Sequence, residues 1–104
     1  MCVGLVCLDV VNVVRDFPLE DSDQRSLDQY SSRGGNASNS ASVLAQLGEA
    51  DVEYFGTLAA ETLESAAIEK DFAKFGIAID HCVRHAGCVC PNSCVIVNAK
   101  NASR

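Results

Sequence analysis

Two adjacent glycines, Gly34 and Gly35, stand directly before a stretch whose apolar residues recur at Ala37, Ala41, Leu44 and Leu47 and stop at Gly48. The i, i+4, i+7 spacing predicts an amphipathic helix, and Gly48 is a natural end for it. The glycines free the backbone to turn sharply and to approach a neighbour or ligand closely. Asn36 and Asn39 are three apart, so on the first helical turn their carboxamides share one face. Each carboxamide offers two donors and an acceptor, which suits neutral hydroxyls better than a lone charge. Arg33-Gly34-Gly35-Asn36-Ala37-Ser38-Asn39 therefore fits a polyol or sugar grip at a helix N-terminus. It also fits an ordinary loop-to-helix junction with Asn36 or Ser38 as N-cap, the commoner explanation of so short a motif.

The rest of the chain sets that helix in an alternating pattern. Val3 to Leu8 is a continuous apolar run, expected as a strand covered on both faces as in a parallel sheet, and ended by Asp9. A carboxylate at the carboxyl end of such a strand stands where open α/β sheets hold ligands; a plain turn residue is the alternative. Val10 to Phe17 is a second β-prone run, closed by Pro18 and the acidic Glu20, Asp21 and Asp23. Gln24 to Ser32 reads as a half-exposed strand, so residues 10–32 are expected to form an antiparallel flap that needs another surface to cover one face. Val52 to Phe55 reads as a strand, and Glu61 to Phe75 as a helix with Ile68, Phe72 and Phe75 on one face and Gly76 as its stop. Ile77 to Val83 and Ser93 to Asn98 read as further strands, with a turn at Pro91-Asn92. The small alanines of the first helix suit close packing on a sheet. Strand, helix, strand, helix makes the fold class α/β. The chain as given ends just after a strand, where an α/β domain is expected to continue.

A formal net charge of -6 argues against nucleic acid as a partner, because phosphate binding relies on clustered lysine and arginine. No stretch is long enough to cross a bilayer, and the apolar opening lacks the basic leader of a signal peptide. A cytoplasmic, reducing location is therefore expected, with the six cysteines mostly as free thiols. His81, Cys82, His85, Cys88, Cys90 and Cys94 lie close enough in sequence to raise a zinc-binding segment. Their spacing lacks the two close pairs of a structural site, so buried thiols acting as small hydrophobes are preferred and no metal ligand is assigned. Nothing pins a thiol beside a histidine as a nucleophile. There is no phosphate loop of the G-x4-G-K-[ST] type.

The segment Gly34-Gly35-Asn36-Ala37-Ser38-Asn39-Ser40-Ala41, running through Leu44-Ala45-Gln46-Leu47-Gly48, resembles the first signature of the ribokinase-like (PfkB) carbohydrate kinases. Cys2-Val3-Gly4-Leu5-Val6-Cys7-Leu8-Asp9-Val10, Phe17-Pro18-Leu19-Glu20-Asp21-Ser22 and Pro91-Asn92-Ser93-Cys94-Val95-Ile96-Val97-Asn98 are similar to its hepatic-type fructokinase branch. The resemblance covers essentially all of residues 1–104, and is looser from Ala59 to Cys90. It implies a parallel sheet flanked by helices, truncated here, with residues 10–32 and 92–104 forming a β-clasp. It also implies ATP- and Mg2+-dependent phosphate transfer to the 1-hydroxyl of fructose or a similar ketose. Asp9 would then accept hydrogen bonds from sugar hydroxyls, Gly35 would let the backbone come close to the sugar, and Asn36 and Asn39 would read further hydroxyls. The three side chains would converge on one sugar-sized space. The clasp would close over a neighbouring subunit's site and make a homodimer, with Asp21 reaching the partner's sugar. Arg104 would stand near the transferred phosphate, where positive charge offsets developing negative charge.

Two departures qualify that likeness. The family's second signature, a Gly-Ala-Gly-Asp turn carrying the general base and anion hole, belongs beyond residue 104, as does most of the nucleotide pocket. The chain alone is therefore expected to be inactive. Around Ala59 to Leu63, Ala-Ala-Glu-Thr-Leu replaces a turn that bears glycine in the family. A non-catalytic module that associates through the clasp is the alternative function.

Overall fold

The computed structural model describes residues 1–48 and 50–104. In chain order the elements are β1 (Cys2–Val3), β2 (Cys7–Val14), β3 (Asp28–Gly34), α1 (Asn36–Leu47), β4 (Tyr54–Phe55), β5 (Thr57–Ala59), α2 (Leu63–Lys74), β6 (Val83–His85) and β7 (Asn92–Asn98). They fall into two compact units, residues 1–8 with 33–91 and residues 9–32 with 92–104.

The first unit is built on parallel pairings. β1 lies parallel to β4, with Cys2 opposite Tyr54 and Val3 opposite Phe55, and Glu53 forms a parallel bridge to Ala78. β5 lies parallel to β6, with Thr57 opposite Val83 and Ala59 opposite His85. Parallel pairs of this kind require crossovers, and α2 supplies the one between β5 and β6. α1 packs on β1 and β4. The approach is close because both sides are small: a Cβ on Gly4 would stand 2.8 Å from the Cβ of Ala37, and Ala41 is fully buried.

Beneath the helices the core gathers Val6, Ala41, Val52, Tyr54, Leu58, Ile68, Phe72 and Ile77 with Cys82 and Cys90. Tyr54 and Phe72 stack with ring centroids 4.8 Å apart. The Tyr54 hydroxyl donates to the Gly4 carbonyl, which ends the β1 pairing without leaving a buried polar group unmatched. Burial, reinforced by the nearby Cys82 thiol, pushes that hydroxyl up to about 12. Among the described residues, no helix is long and apolar enough to cross a membrane.

In the second unit, β2 is the middle strand of a three-stranded sheet in the order β3-β2-β7. Val11 and Val14 are its buried apolar side chains among the described residues. Backbone bonds from Leu27 N to Val13 O (2.7 Å) and from Ala99 N to Val14 O (2.8 Å) close the far ends of the ladder. Residues 15–27 form an open loop around a concavity of about 550 Å³ lined by Arg15, Phe17, Leu19, Gln24, Arg25 and Leu27, among others.

Several expected boundaries are corrected. The apolar opening is not one strand from Val3 to Leu8. It breaks at Gly4, where the carbonyl turns to Tyr54, and restarts as β2 at Cys7. Asp9 therefore stands within β2 rather than beyond a strand end. The half-exposed strand starts at Asp28 instead of Gln24. Ile77 to Val83 is not a strand: only Ala78 bridges, Asp80 and His81 turn, and pairing resumes at Val83. Ile77 and Cys82 are apolar because they plug the core. β7 begins at Asn92 itself, so the turn precedes it.

Candidate functional site

α1 begins at Asn36 immediately after Gly35, so Asn36 and Asn39 occupy its first turn. They line a shallow open groove of about 580 Å³ together with Ser40, Val43 and Leu44. The N-cap is Gly35 itself, at φ 102° and ψ 133°, with no side-chain cap bond. The junction with Asn36 or Ser38 as N-cap is thus not what forms. Both amides are left to the groove side of the helix start instead of being spent on capping.

Gly35 is required for a reason the sequence does not reveal. A Cβ there would stand 2.3 Å from the Leu5 carbonyl oxygen and 3.0 Å from the Val6 Cα. The close approach that glycine allows is to the chain's own backbone. Ser38 is fully buried beneath this turn, and its Oγ donates to the Gly34 carbonyl at 2.7 Å and to the Gly35 carbonyl at 2.9 Å.

What sequence reasoning missed is the role of Arg33 beneath that motif. Its side chain is 4% exposed, its Nε donates to Asp71 Oδ2 at 2.8 Å, and its Cζ lies 4.5 Å from the Phe72 ring centroid. Asp71 on α2 is also paired to Lys74 Nζ at 3.4 Å. A signal was present in Asp71 and Phe72, adjacent on a predicted helix, but the partner lies 38 residues away.

In the second unit, Asp9 and Arg104 line one groove of about 320 Å³, with Val11, Tyr30, Ser32 and Val95 among its walls. Ser93 Oγ donates to Asp9 Oδ1, tying β2 to β7. Asp21 is exposed at the tip of the 15–27 loop with φ 55°, a left-handed conformation aspartate tolerates. There Ser22 N and Ser22 Oγ both donate to the Leu19 carbonyl, at 3.2 and 2.6 Å.

The cysteine and histidine residues of the 81–94 segment are not gathered. His81 Nδ1 pairs with Glu53 Oε1, and Cys82 Sγ donates to the Tyr54 carbonyl at 3.4 Å. Burial pushes both the Cys82 and the Cys90 thiol up, which keeps them protonated, whereas Cys88 and Cys94 are exposed. Among the described residues, no three His, Cys, Asp or Glu side chains are arranged to hold a metal ion.

Comparison with known proteins gives these positions a context. Residues 1–104 match the model of the pfkB family carbohydrate kinases. Ketohexokinase of Mus musculus is 43% identical over all 104 residues, which cover 34% of its length. Among solved structures, ribokinase from Thermotoga maritima superposes with a TM-score of 0.81 at 21% identity, over 98% of this chain and 33% of that one. Ribokinase from Giardia lamblia gives 0.79 at 22% identity, over 95% and 29%. The chain thus spans about a third of the length of these relatives, and with them it shares the ribokinase fold. It belongs to the pfkB family of carbohydrate kinases.

Proposed function

We propose that this chain is the sugar-binding part of a kinase that moves the γ-phosphate of ATP to the 1-hydroxyl of fructose or a similar ketose. The observation that carries the reading is the start of α1. Capped by Gly35, it leaves the Asn36 and Asn39 carboxamides uncommitted at an open groove, in a chain 43% identical to a ketohexokinase. Asn36 and Asn39 hold sugar hydroxyls by donating and accepting at once, which a lone charge does less selectively. Asp9 accepts from further hydroxyls, and Gly35 keeps the helix start where those amides can reach. Holding the attacking hydroxyl in one orientation is how such residues contribute to rate.

Arg104 is assigned the charge that offsets developing negative charge on the phosphate. The family likeness supports ATP with Mg2+ as the phosphate donor, and no step is assigned to metal or nucleotide in these residues. Residues 10–32 and 92–104 are proposed as a clasp that makes a cytoplasmic homodimer, with Asp21 at the partner's sugar. The exposed Leu19 and Leu27 give that loop an apolar surface to cover.

The test is titration of the purified chain with fructose, followed at the Asn36 and Asn39 side-chain amides by NMR. Asn39→Ala and Asp9→Asn should each weaken binding roughly tenfold, the worth of one or two lost hydrogen bonds, without changing the fold. The same preparation with Mg-ATP should form no fructose 1-phosphate. Fructose turnover by the chain alone, or unchanged affinity in both variants, sinks the assignment.

A further inference from the structure

Arg33 stands at the end of β3, two residues before the glycine that caps α1. Its guanidinium makes one continuous set of bonds with both helices. Nη2 donates to Ser42 Oγ, Ser42 Oγ donates to the Ser38 carbonyl at 3.3 Å, and Ser38 Oγ donates back to the Gly34 and Gly35 carbonyls. On the other side Nε donates to Asp71 of α2, with Cζ over the Phe72 ring. Ser38 and Ser42 are both buried. Nη1 is buried too, and finds no partner among the described residues.

A buried arginine with both Nη1 donors unmatched is a poor source of stability. An apolar side chain stacked on Phe72 would hold the same space without the cost of desolvating a charge. What the planar fork alone supplies is direction, because its donors leave at fixed angles toward two helices at once. The segment it reaches needs that help. Gly34 and Gly35 have no side chains and give the strand-to-helix turn no stiffness of its own.

We infer that Arg33 is a positioning residue: through Ser42, Ser38 and Asp71 it fixes how the turn at residues 33–35 enters α1, and so where the Asn36 and Asn39 carboxamides stand to meet a sugar hydroxyl. The inference rests on the proposed sugar site for its ligand, though not for its geometry.

Two readouts on the purified chain test it, namely the backbone amide resonances of Gly35 and Asn36 without ligand, and the affinity for fructose. Arg33→Lys keeps the charge and loses the fork. Ile68→Val, at a fully buried position of α2, is the control for a fall in stability alone. Arg33→Lys is expected to move the 35–36 resonances and to weaken fructose binding about tenfold, the kind of loss that follows small misplacement. Ile68→Val is expected to leave both unchanged below its melting temperature. If Arg33→Lys leaves the resonances in place and the affinity within about twofold, Arg33 only braces the fold and the inference is overturned. Where Arg33→Lys does not fold, Ser42→Ala removes one arm of the network and carries the same two readouts. A parent chain that binds no fructose removes the sugar reading, and the resonances then decide the placement by themselves.

Discussion

Glu61 holds φ at 59°, in the left-handed region that costs a side-chain-bearing residue its Cβ contacts. It lies in the Ala59–Leu63 stretch, where the resemblance implies a glycine-bearing turn that this sequence lacks, so the departure was legible there and the strained φ was not. Replacing Glu61 by glycine relieves roughly 1–2 kcal/mol of strain and adds about 0.5–1 kcal/mol of unfolded-state entropy. The net expectation is a chain more stable by about 0.5–1 kcal/mol, checked by urea unfolding; lower stability in Glu61→Gly means the side chain contributes something the backbone angle hides. Gly35 shows the opposite limit of legibility. Its special role was readable from the doubled glycine, but not its cause, because Leu5 and Val6 approach from thirty residues away. His81 gives a pH dependence with a definite sign. Its hydrogen bond to Glu53, and then the Glu53 charge, raise its pKa above the ordinary histidine value of 6.5. The contribution is therefore complete below the unfolded pKa and fades as pH rises through the folded one. The imidazole is well exposed, so the effect is a small one that salt weakens. NMR titration should place the His81 midpoint above 6.5, and His81→Gln should flatten stability across that pH window; a midpoint at or below the ordinary value removes the pair.

Elements were legible where the chain supplies its own punctuation. α1 closes at Gly48 in a left-handed cap with a bond from Gly48 N to the Ala45 carbonyl, and α2 is followed by Gly76 at φ 65°. Ile68 and Phe72 are fully buried, as the helical spacing required. Strands fared worse, because what ends them is a partner distant in sequence. Nothing local at Gly4 announces that a tyrosine fifty residues on will take its carbonyl. Likewise the apolar residues from Ile77 to Val83 carry no mark separating a core plug from a ladder. The start of α2 is set by Thr62, whose Oγ1 accepts from Ser65 N at 3.1 Å, with Glu64 placed favourably in the first turn. Thr62→Ala should cost about 0.5–2 kcal/mol, the usual worth of such a cap. Thermal unfolding measures it, and Thr62→Ser should recover most of the loss. Equal loss in both variants would show that the methyl group matters rather than the hydroxyl.

At the scale of the whole chain, the two units differ in what holds each together. Residues 1–8 and 33–91 enclose a core of aromatic and branched side chains under two helices. Residues 9–32 and 92–104 have a three-stranded sheet whose buried apolar side chains, among the described residues, are Val11 and Val14. Hydrogen-bonded sheet without a deep apolar layer opens at lower free energy, since burial supplies most of the favourable term and exposed ladder bonds exchange readily with water. Amides of β2 from Val10 onward, β3 and β7 should therefore exchange with solvent deuterium faster than those of Val52 to Tyr54 and of Ile68 to Phe72. Phe72→Ala, which removes a fully buried ring at about 3–5 kcal/mol, should accelerate exchange in the first unit. Val11→Ala should accelerate exchange only in residues 9–32 and 92–104. If both variants speed every amide alike, the chain opens in one step and the division into separately stable units fails. If the sheet proves the slower part, the apolar layer is not what limits opening, and the clasp proposed from its exposed loop would have to be stable before it meets a partner.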